Sequence, residues 1–243
     1  MGDKGLNDLL RWSIENTTPA GPESTAAEEA PRSTLTQDAL RALMGGPSDA
    51  DLMRDSMAAI VSTDPEITLE SKLTAFDNLE QLIESLDNAN LLSKLGLWTP
   101  LLGCLAHDEG EIRLMAAWCV GTAVQNNEPC QERLVALGGV EKLVQMAVGK
   151  RLPPPPAVSA SEAGGGKTDD AGETESNKIR RKAVYALSSA VRNYQPAMNV
   201  CTAELRRQGQ DEHLGGDGKP IDAMDMDAVD AVINGLRDKL TSP

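Results

Sequence analysis

Apolar residues recur at intervals of three and four along most of this chain, which is the spacing of amphipathic helices. One stripe runs without a break through Ile112, Met115, Ala116, Cys119, Val120, Ala123 and Val124. Another, through Met226, Val229, Ile233, Leu236 and Leu240, predicts a helix near the C-terminus. Ala and Leu are abundant while runs of Val, Ile, Thr and Tyr are missing, so we expect an all-α protein.

Further helices are predicted ahead of the first stripe. One spans about 36–44 and ends at Gly45-Gly46-Pro47, and the next spans about 49–62. Ser48, followed three residues later by Asp51, predicts a capping box at the start of this second helix. A longer helix with a less regular stripe is expected over about 69–86.

Two internal repeats predict the architecture. Segment 95–102 recurs 42 residues later as segment 137–144, a period typical of helical solenoids built from repeats of about 40–47 residues. Helix 112–126 recurs 67 residues later as 179–193, and each copy is followed by a proline, Pro129 or Pro196. We therefore expect an armadillo-like helical-repeat solenoid with a flexible N-terminal segment and one long inserted loop.

The excess length of the second repeat falls in segment 151–176, which carries four consecutive prolines and three consecutive glycines. Such a stretch is typical of a solvated loop between two helices. The predicted organisation is an amphipathic segment 1–16, a disordered linker 17–35, helices and first repeats 36–150, a disordered Pro/Gly-rich loop 151–177, a continued solenoid 178–200, a flexible segment 201–220 and a C-terminal capping helix 221–243.

A ladder of polar and aromatic side chains is expected on the concave face of the solenoid, where such arrays bind partners. Opposite its apolar stripe, helix 112–126 presents Arg113, Ala117, Trp118, Gly121, Thr122 and Gln125. The candidate partner-binding residues are Asp77, Gln81, Trp118, Thr122, Gln125, Tyr185, Ser189 and Arg192. The alternative, that Trp118 and Tyr185 are buried under a neighbouring repeat or loop, stays open.

The N-terminal segment is a second candidate interaction element. Its apolar residues fall on one side of a short helix, with a tryptophan nearby, and the segment from 17 to 32 then turns to Pro, Ala, Glu, Ser and Thr. We expect a docking helix on a flexible tether, with the docking residues Leu6, Leu9, Leu10, Trp12 and Ile14.

Charge and composition narrow the functional classes. The net charge of −14 disfavours nucleic acid and anionic membranes as partners, and the lack of an apolar run of about 18 residues predicts a cytosolic protein. The four cysteines lack metal-ligand spacing, His107 and His213 are expected on the surface, and Gly166-Lys167-Thr168 lacks the context of a phosphate-binding loop. We expect no enzyme activity, no metal and no cofactor.

Particular runs of residues resemble a known family. These are ESLDNANLLSKLGLW at 84–98, IRLMAAW at 112–118 and GTAVQNN at 121–127, with LNDLLRWSI at 6–14 and DMDAVD at 225–230. They resemble the armadillo-type nucleotide exchange factors of the seventy-kilodalton heat-shock chaperone, and are most similar to the fungal cytosolic branch of the heat-shock-protein-binding-protein family.

The resemblance implies a co-chaperone, and we expect the chain to be a monomer. Its concave surface would embrace one lobe of the chaperone's nucleotide-binding domain so that ADP leaves, and its N-terminal segment would help to discharge the client polypeptide. The alternative is a generic armadillo adaptor that binds extended peptides. Grooves of that class carry Trp and Asn one helical turn apart, whereas here Trp118 stands with Thr122, and Tyr185 with Ser189.

Overall fold

A computed structural model describes residues 46–153, 174–214 and 220–240, and their regular structure is helical. The predicted all-α class is confirmed. The described helices are α1 Asp49–Ile60, α2 Leu69–Ile83, α3 Leu86–Lys94, α4 Trp98–Cys104, α5 Gly110–Val124, α6 Glu128–Ala136, α7 Gly139–Ala147, α8 Asn177–Val191, α9 Gln195–Arg207 and α10 Met226–Asp238, with a 3₁₀ turn at Asp211–His213. The predicted linker 17–35 and helix 36–44 lie outside the described residues.

The chain divides into two compact units, Met1–Asp51 and Leu52–Pro243. In the first unit the described residues begin at 46, and the predicted capping box is present. The Asp51 amide donates to Ser48 Oγ at 3.2 Å, and the Ser48 amide donates back to Asp51 Oδ2 at 3.3 Å. This reciprocal pairing between side chains and backbone amides is the capping-box arrangement, and it supports the start of α1.

The second unit contains two three-helix repeats, α3-α4-α5 and α6-α7-α8. The first two helices of each repeat are joined through a glycine in the left-handed region, Gly96 with φ 70° and Gly138 with φ 68°. Glycine carries no Cβ and so adopts this conformation without steric penalty, which ends the first helix and redirects the chain. The 42-residue repeat seen in the sequence therefore corresponds to one structural unit.

The third helix of each repeat also ends in the same way. Asn126 after α5 and Asn193 after α8 both have positive φ, 51° and 57°. Asparagine tolerates this region better than most residues, and a proline then enters the first turn of the next helix in both copies. The fold is an armadillo-like helical repeat, with the segment after residue 150 inserted between α7 and α8 of the second repeat.

Helices α2, α5 and α8, each 15 residues long, lie side by side and run in the same direction. Cys119 on α5 contacts the carbonyl of Phe76 on α2. One turn further along both helices, Thr122 of α5 contacts Glu80 of α2. Phe76, Leu79 and Ile112 are fully buried between these helices. This layer positions the candidate site.

The ends of the inserted segment are packed against the repeats. Lys150 and Thr174 form an isolated antiparallel bridge, and the Glu175 amide donates to the Gly149 carbonyl at 2.9 Å. Leu152 is 5% exposed. Residues 154–173, the middle of the predicted loop, lie outside the described residues.

Two expectations from the sequence are wrong. Arg113 does not lie on an exposed polar face: its side chain is 0% exposed, and it pairs with Glu175 at the end of the inserted segment. The segment from 201 is not flexible at its start, because α9 continues to Arg207. Met198, Cys201 and Leu205 are spaced by three and four and are buried against the repeats.

The cysteines and His107 carry no evident chemistry. Burial raises the pKa of Cys104 to about 11 and of Cys130 and Cys201 to about 12, so these thiols stay protonated and are poor nucleophiles. His107 is half-buried rather than on the open surface, and burial lowers its pKa. Its Nδ1 accepts the Glu109 amide at 3.0 Å, which supports the start of α5. Within the described ranges no three His, Cys, Asp or Glu residues group as metal ligands.

Candidate partner-binding face

The side of helices α2, α5 and α8 that is turned away from the core is termed the α2/α5/α8 face. The eight residues predicted to bind a partner stand on these helices or, for two of them, directly after a helix end: Asp77, Gln81, Trp118, Thr122, Gln125, Tyr185, Ser189 and Arg192. Asp77, Gln81 and Gln125 are exposed, and the other five are half-buried. The structure divides this surface into an aromatic cluster, an acidic groove and a link to α10.

The aromatic cluster is built around Trp118. The Lys182 ammonium lies 3.5 Å from the centre of the Trp118 ring and 5.7 Å from the centre of the Tyr185 ring. A cation over an aromatic face is attracted by the ring quadrupole. Desolvation lowers the pKa of Lys182, and the negative charge of Glu80 opposes that effect. Trp118 and Tyr185 are thus neither fully buried nor freely exposed.

Gly121 allows α5 and α8 to approach closely beside this cluster. A Cβ at position 121 would lie 2.5 Å from Tyr185 Cε1 and 3.1 Å from the Ala186 Cα. Gly121 is buried, and the Tyr185 ring occupies the space where any larger side chain would project. The absence of a side chain at 121 therefore sets the position of Tyr185 on the face.

The acidic groove is a cavity of about 420 Å³ where α2, α3, α5 and α8 meet. Thr122 Oγ1 donates to Glu80 Oε1 at 2.7 Å, which links α5 to α2 across the groove. Of the predicted residues, Thr122, Gln125 and Tyr185 come together here, whereas Asp77 and Gln81 lie outside the lining. The lining residues are Glu80, Ile83, Glu84, Leu86, Ala89, Thr122, Gln125, Asn126 and Tyr185.

Arg192 links α8 to α10. Its guanidinium forms an ion pair with Asp230, and its Nε donates to Ser188 Oγ at 3.2 Å. The Arg192 Nη1 also lies 3.4 Å from the sulfur of Met226. Because Arg192 already holds α10, its replacement would disturb the fold as well as any interface. Ser189 is half-buried. Its backbone carbonyl accepts a hydrogen bond from the side-chain amide of Gln131 at 3.1 Å.

Comparison with known proteins decides the family. Residues 6–92 match the family described as "Nucleotide exchange factor Fes1". Over 243 aligned residues the chain is 50% identical to the Hsp70 nucleotide exchange factor FES1 of Gibberella zeae, and the alignment covers 99% of both proteins. The chain belongs to the Fes1 nucleotide exchange factor family.

Other members of the Fes1 family match at lower identity. The Hsp70 nucleotide exchange factor fes-1 of Neurospora crassa is 46% identical over 268 aligned residues, covering 99% of both proteins. The FES1 protein of Saccharomyces cerevisiae is 38% identical over 191 residues, covering 78% of this chain and 56% of the yeast protein. The family resemblance read from the sequence motifs is confirmed.

The Fes1 family match begins at residue 6 and so includes the predicted docking segment. Its residues Leu6, Leu9, Leu10, Trp12 and Ile14 lie outside the described residues, and their role stays a prediction.

Sequence reasoning missed the charged partners of the face, Glu80, Lys182 and Asp230. One signal was available for Glu80, because it stands 42 residues before Thr122, which is the repeat period. Lys182 stands three residues before Tyr185 and therefore on the same side of α8. No comparable signal pointed to Asp230, since its pairing with Arg192 depends on how α10 docks.

Proposed function

We propose that this chain is a nucleotide exchange factor that binds the nucleotide-binding domain of Hsp70 and accelerates the release of ADP. The observation that carries the proposal is the 50% identity, over essentially the whole of both proteins, to a relative named for that activity. Faster ADP release would let ATP enter and the client polypeptide leave. The chain would act by binding alone, with no catalytic residue and no cofactor.

The mechanism needs a difference in affinity between two states of the partner. A protein that binds the open, nucleotide-free state more tightly than the ADP-bound state shifts the partner toward the open state. Linkage then requires ADP to bind the complex more weakly by the same factor. Helices α2, α5 and α8 pack against each other through buried side chains. Their outer surface is therefore already ordered before a partner binds.

The α2/α5/α8 face is the proposed contact surface. It combines half-exposed aromatic rings, at Trp118 and Tyr185, with exposed polar groups such as Gln125. Interface energy concentrates in a few aromatic and Arg side chains surrounded by polar ones, and this face has that composition. Asp77, Gln81, Thr122, Ser189 and Arg192 complete the proposed contact set.

We further propose that the protein works as a monomer in the cytosol. All four cysteines are free thiols, as is usual where the compartment is reducing. The net charge of −14 favours a soluble, unassociated chain. None of the described helices is both long and apolar enough to cross a bilayer.

Calorimetric titration of the isolated Hsp70 nucleotide-binding domain tests the binding mode. The expected result is a one-to-one complex whose affinity falls about tenfold or more when ADP saturates the domain, within the usual range of coupling between sites. Equal affinities with and without ADP would contradict exchange activity. Binding to unstructured basic peptides in place of the folded domain would support the peptide adaptor instead.

A further inference from the structure

Helix α8 has a charge pattern opposite to that of the chain as a whole. Its first two turns carry Lys178, Arg180, Arg181 and Lys182, and no Asp or Glu occurs anywhere in Asn177–Val191. The complete chain has 37 acidic and 23 basic residues. The N-terminal half of α8 is therefore a concentrated positive surface within an acidic protein.

The cations of the first turn, Lys178 and Arg180, stand where the helix dipole disfavours positive charge. The N-terminal end of a helix carries partial positive charge, so Asp or Glu stabilises the first turn and Lys or Arg destabilises it. The N-cap residue Ser176 makes no side-chain capping bond, and the first turn holds no acidic residue. A sequence shaped only by helix formation would place charges of the other sign here.

Of these four cations, Arg180 is the one that forms hydrogen bonds with other residues in the described parts of the chain. Arg180 Nε donates to the Ala147 carbonyl at 3.1 Å and Nη1 donates to Asn177 Oδ1 at 3.1 Å. Lys178 and Arg181 are exposed and form no ion pair with any residue in the described parts of the chain. Lys182 is held over the Trp118 ring.

We propose that Lys178, Arg181 and Lys182 form a cationic docking patch for a carboxylate-rich surface of the Hsp70 nucleotide-binding domain. The inference rests on the proposed function and adds the chemistry of the contact. Trp118 acts as a positioning residue: its ring fixes the Lys182 ammonium, so less side-chain freedom is lost when a carboxylate binds.

The neighbouring helices give the contact its orientation. The carboxylates of Glu80 and Glu84 line the acidic groove near the C-terminal end of α2, whereas the patch lies at the N-terminal half of α8. Because the helices run in the same direction, Lys178 and Arg181 lie toward one end of the face and Glu84 toward the other, while Lys182 and Glu80 are close enough to interact electrostatically. Complementary charges on a partner would then select one docking orientation and raise the association rate.

Charge reversal with a matched control tests the patch. The double variant Lys178→Glu/Arg181→Glu is compared with Lys94→Glu/Arg133→Glu, which reverses two exposed cations on α3 and α6. Association with the nucleotide-binding domain is followed by surface plasmon resonance at two salt concentrations. The patch variant should bind about tenfold more weakly, chiefly through slower association and with a smaller salt dependence, while the control changes by less than about twofold.

Several outcomes of these measurements would overturn the proposal. Wild-type affinity in the patch variant, or equal losses in both double variants, would show that no local patch exists. A lower melting temperature of the patch variant would show that the cations pair within this chain, since reversal at a helix N-terminus otherwise maintains or raises stability. Wild-type protein that fails to release ADP would overturn the proposed function and this inference together, whereas normal release with unaffected patch variants overturns this inference alone.

A double-mutant cycle separates positioning from direct contact. Trp118→Leu and Lys182→Met are made singly and together, and binding is measured for each. If Trp118 positions Lys182 in addition to contacting the partner, the tryptophan substitution should cause a loss about threefold larger in the wild type than in the Lys182→Met background. Additive losses would overturn the positioning role of Trp118.

Discussion

Replacing Glu175 by alanine should lower the free energy of unfolding by about 3–5 kcal/mol, since it removes a carboxylate that pairs with a buried guanidinium. Arg113 Nε donates to Glu175 Oε1 at 2.8 Å, and Nη2 donates to Oε2 at 2.9 Å. Both side chains are 0% exposed. Urea unfolding followed by circular dichroism measures the loss.

Two controls make this result specific to the buried pair. Asp108→Asn weakens the exposed pair with Arg151, in which the side chains are 76% and 28% exposed, and should change stability by less than about 1 kcal/mol. The double replacement Arg113→Met/Glu175→Leu removes both charges and should be less destabilising than Glu175→Ala. If Glu175→Ala is no more costly than Asp108→Asn, the buried pair does not hold α5 to the end of the inserted segment.

Gly121→Val should destabilise the protein by about 1–3 kcal/mol, through overpacking between α5 and α8. The added Cβ would approach Tyr185 Cε1 to 2.5 Å and the Ala186 Cα to 3.1 Å, so α8 must shift as well as the ring. That shift would also separate Trp118 from Lys182 and weaken binding of the partner. Thermal unfolding and the binding titration report the two effects.

Gly103→Ala and a compensating substitution at Tyr185 serve as controls for Gly121→Val. A Cβ added at Gly103 on α4 would meet no atom within 4 Å, so Gly103→Ala should stabilise α4 slightly, by up to about 1 kcal/mol. Adding Tyr185→Ala to Gly121→Val should recover part of the lost stability. If Gly121→Val and Gly103→Ala have the same effect on stability, close packing at Gly121 is not a determinant of the fold.

The sequence predicts the repeat architecture well, because repeats appear as local patterns. The apolar stripe of α5 and the prolines after α5 and α8 are local patterns, and the 42-residue period repeats such patterns along the chain. The same period relates Glu80 to Thr122, which the structure joins by a hydrogen bond. Features that repeat along the chain could therefore be placed on a common face.

Contacts across the inserted segment could not be predicted in the same way. Arg113 has the helical position of a surface residue, and its partner stands 62 residues later beyond a run of prolines and glycines. Arg192 likewise pairs with Asp230 on a helix whose docking no periodicity encodes. Both ion pairs depend on how distant elements of the chain pack together. The spacing of apolar residues gives no information about that packing.

Release of fluorescently labelled ADP from full-length Hsp70 tests the central claim most directly. Substoichiometric amounts of this protein, mixed with the loaded chaperone and excess unlabelled ATP in a stopped-flow instrument, should accelerate release by at least about tenfold, in line with the coupling proposed between the two binding events. A release rate that does not change across a range of concentrations, with wild-type protein that is folded and binds Hsp70, would contradict the account.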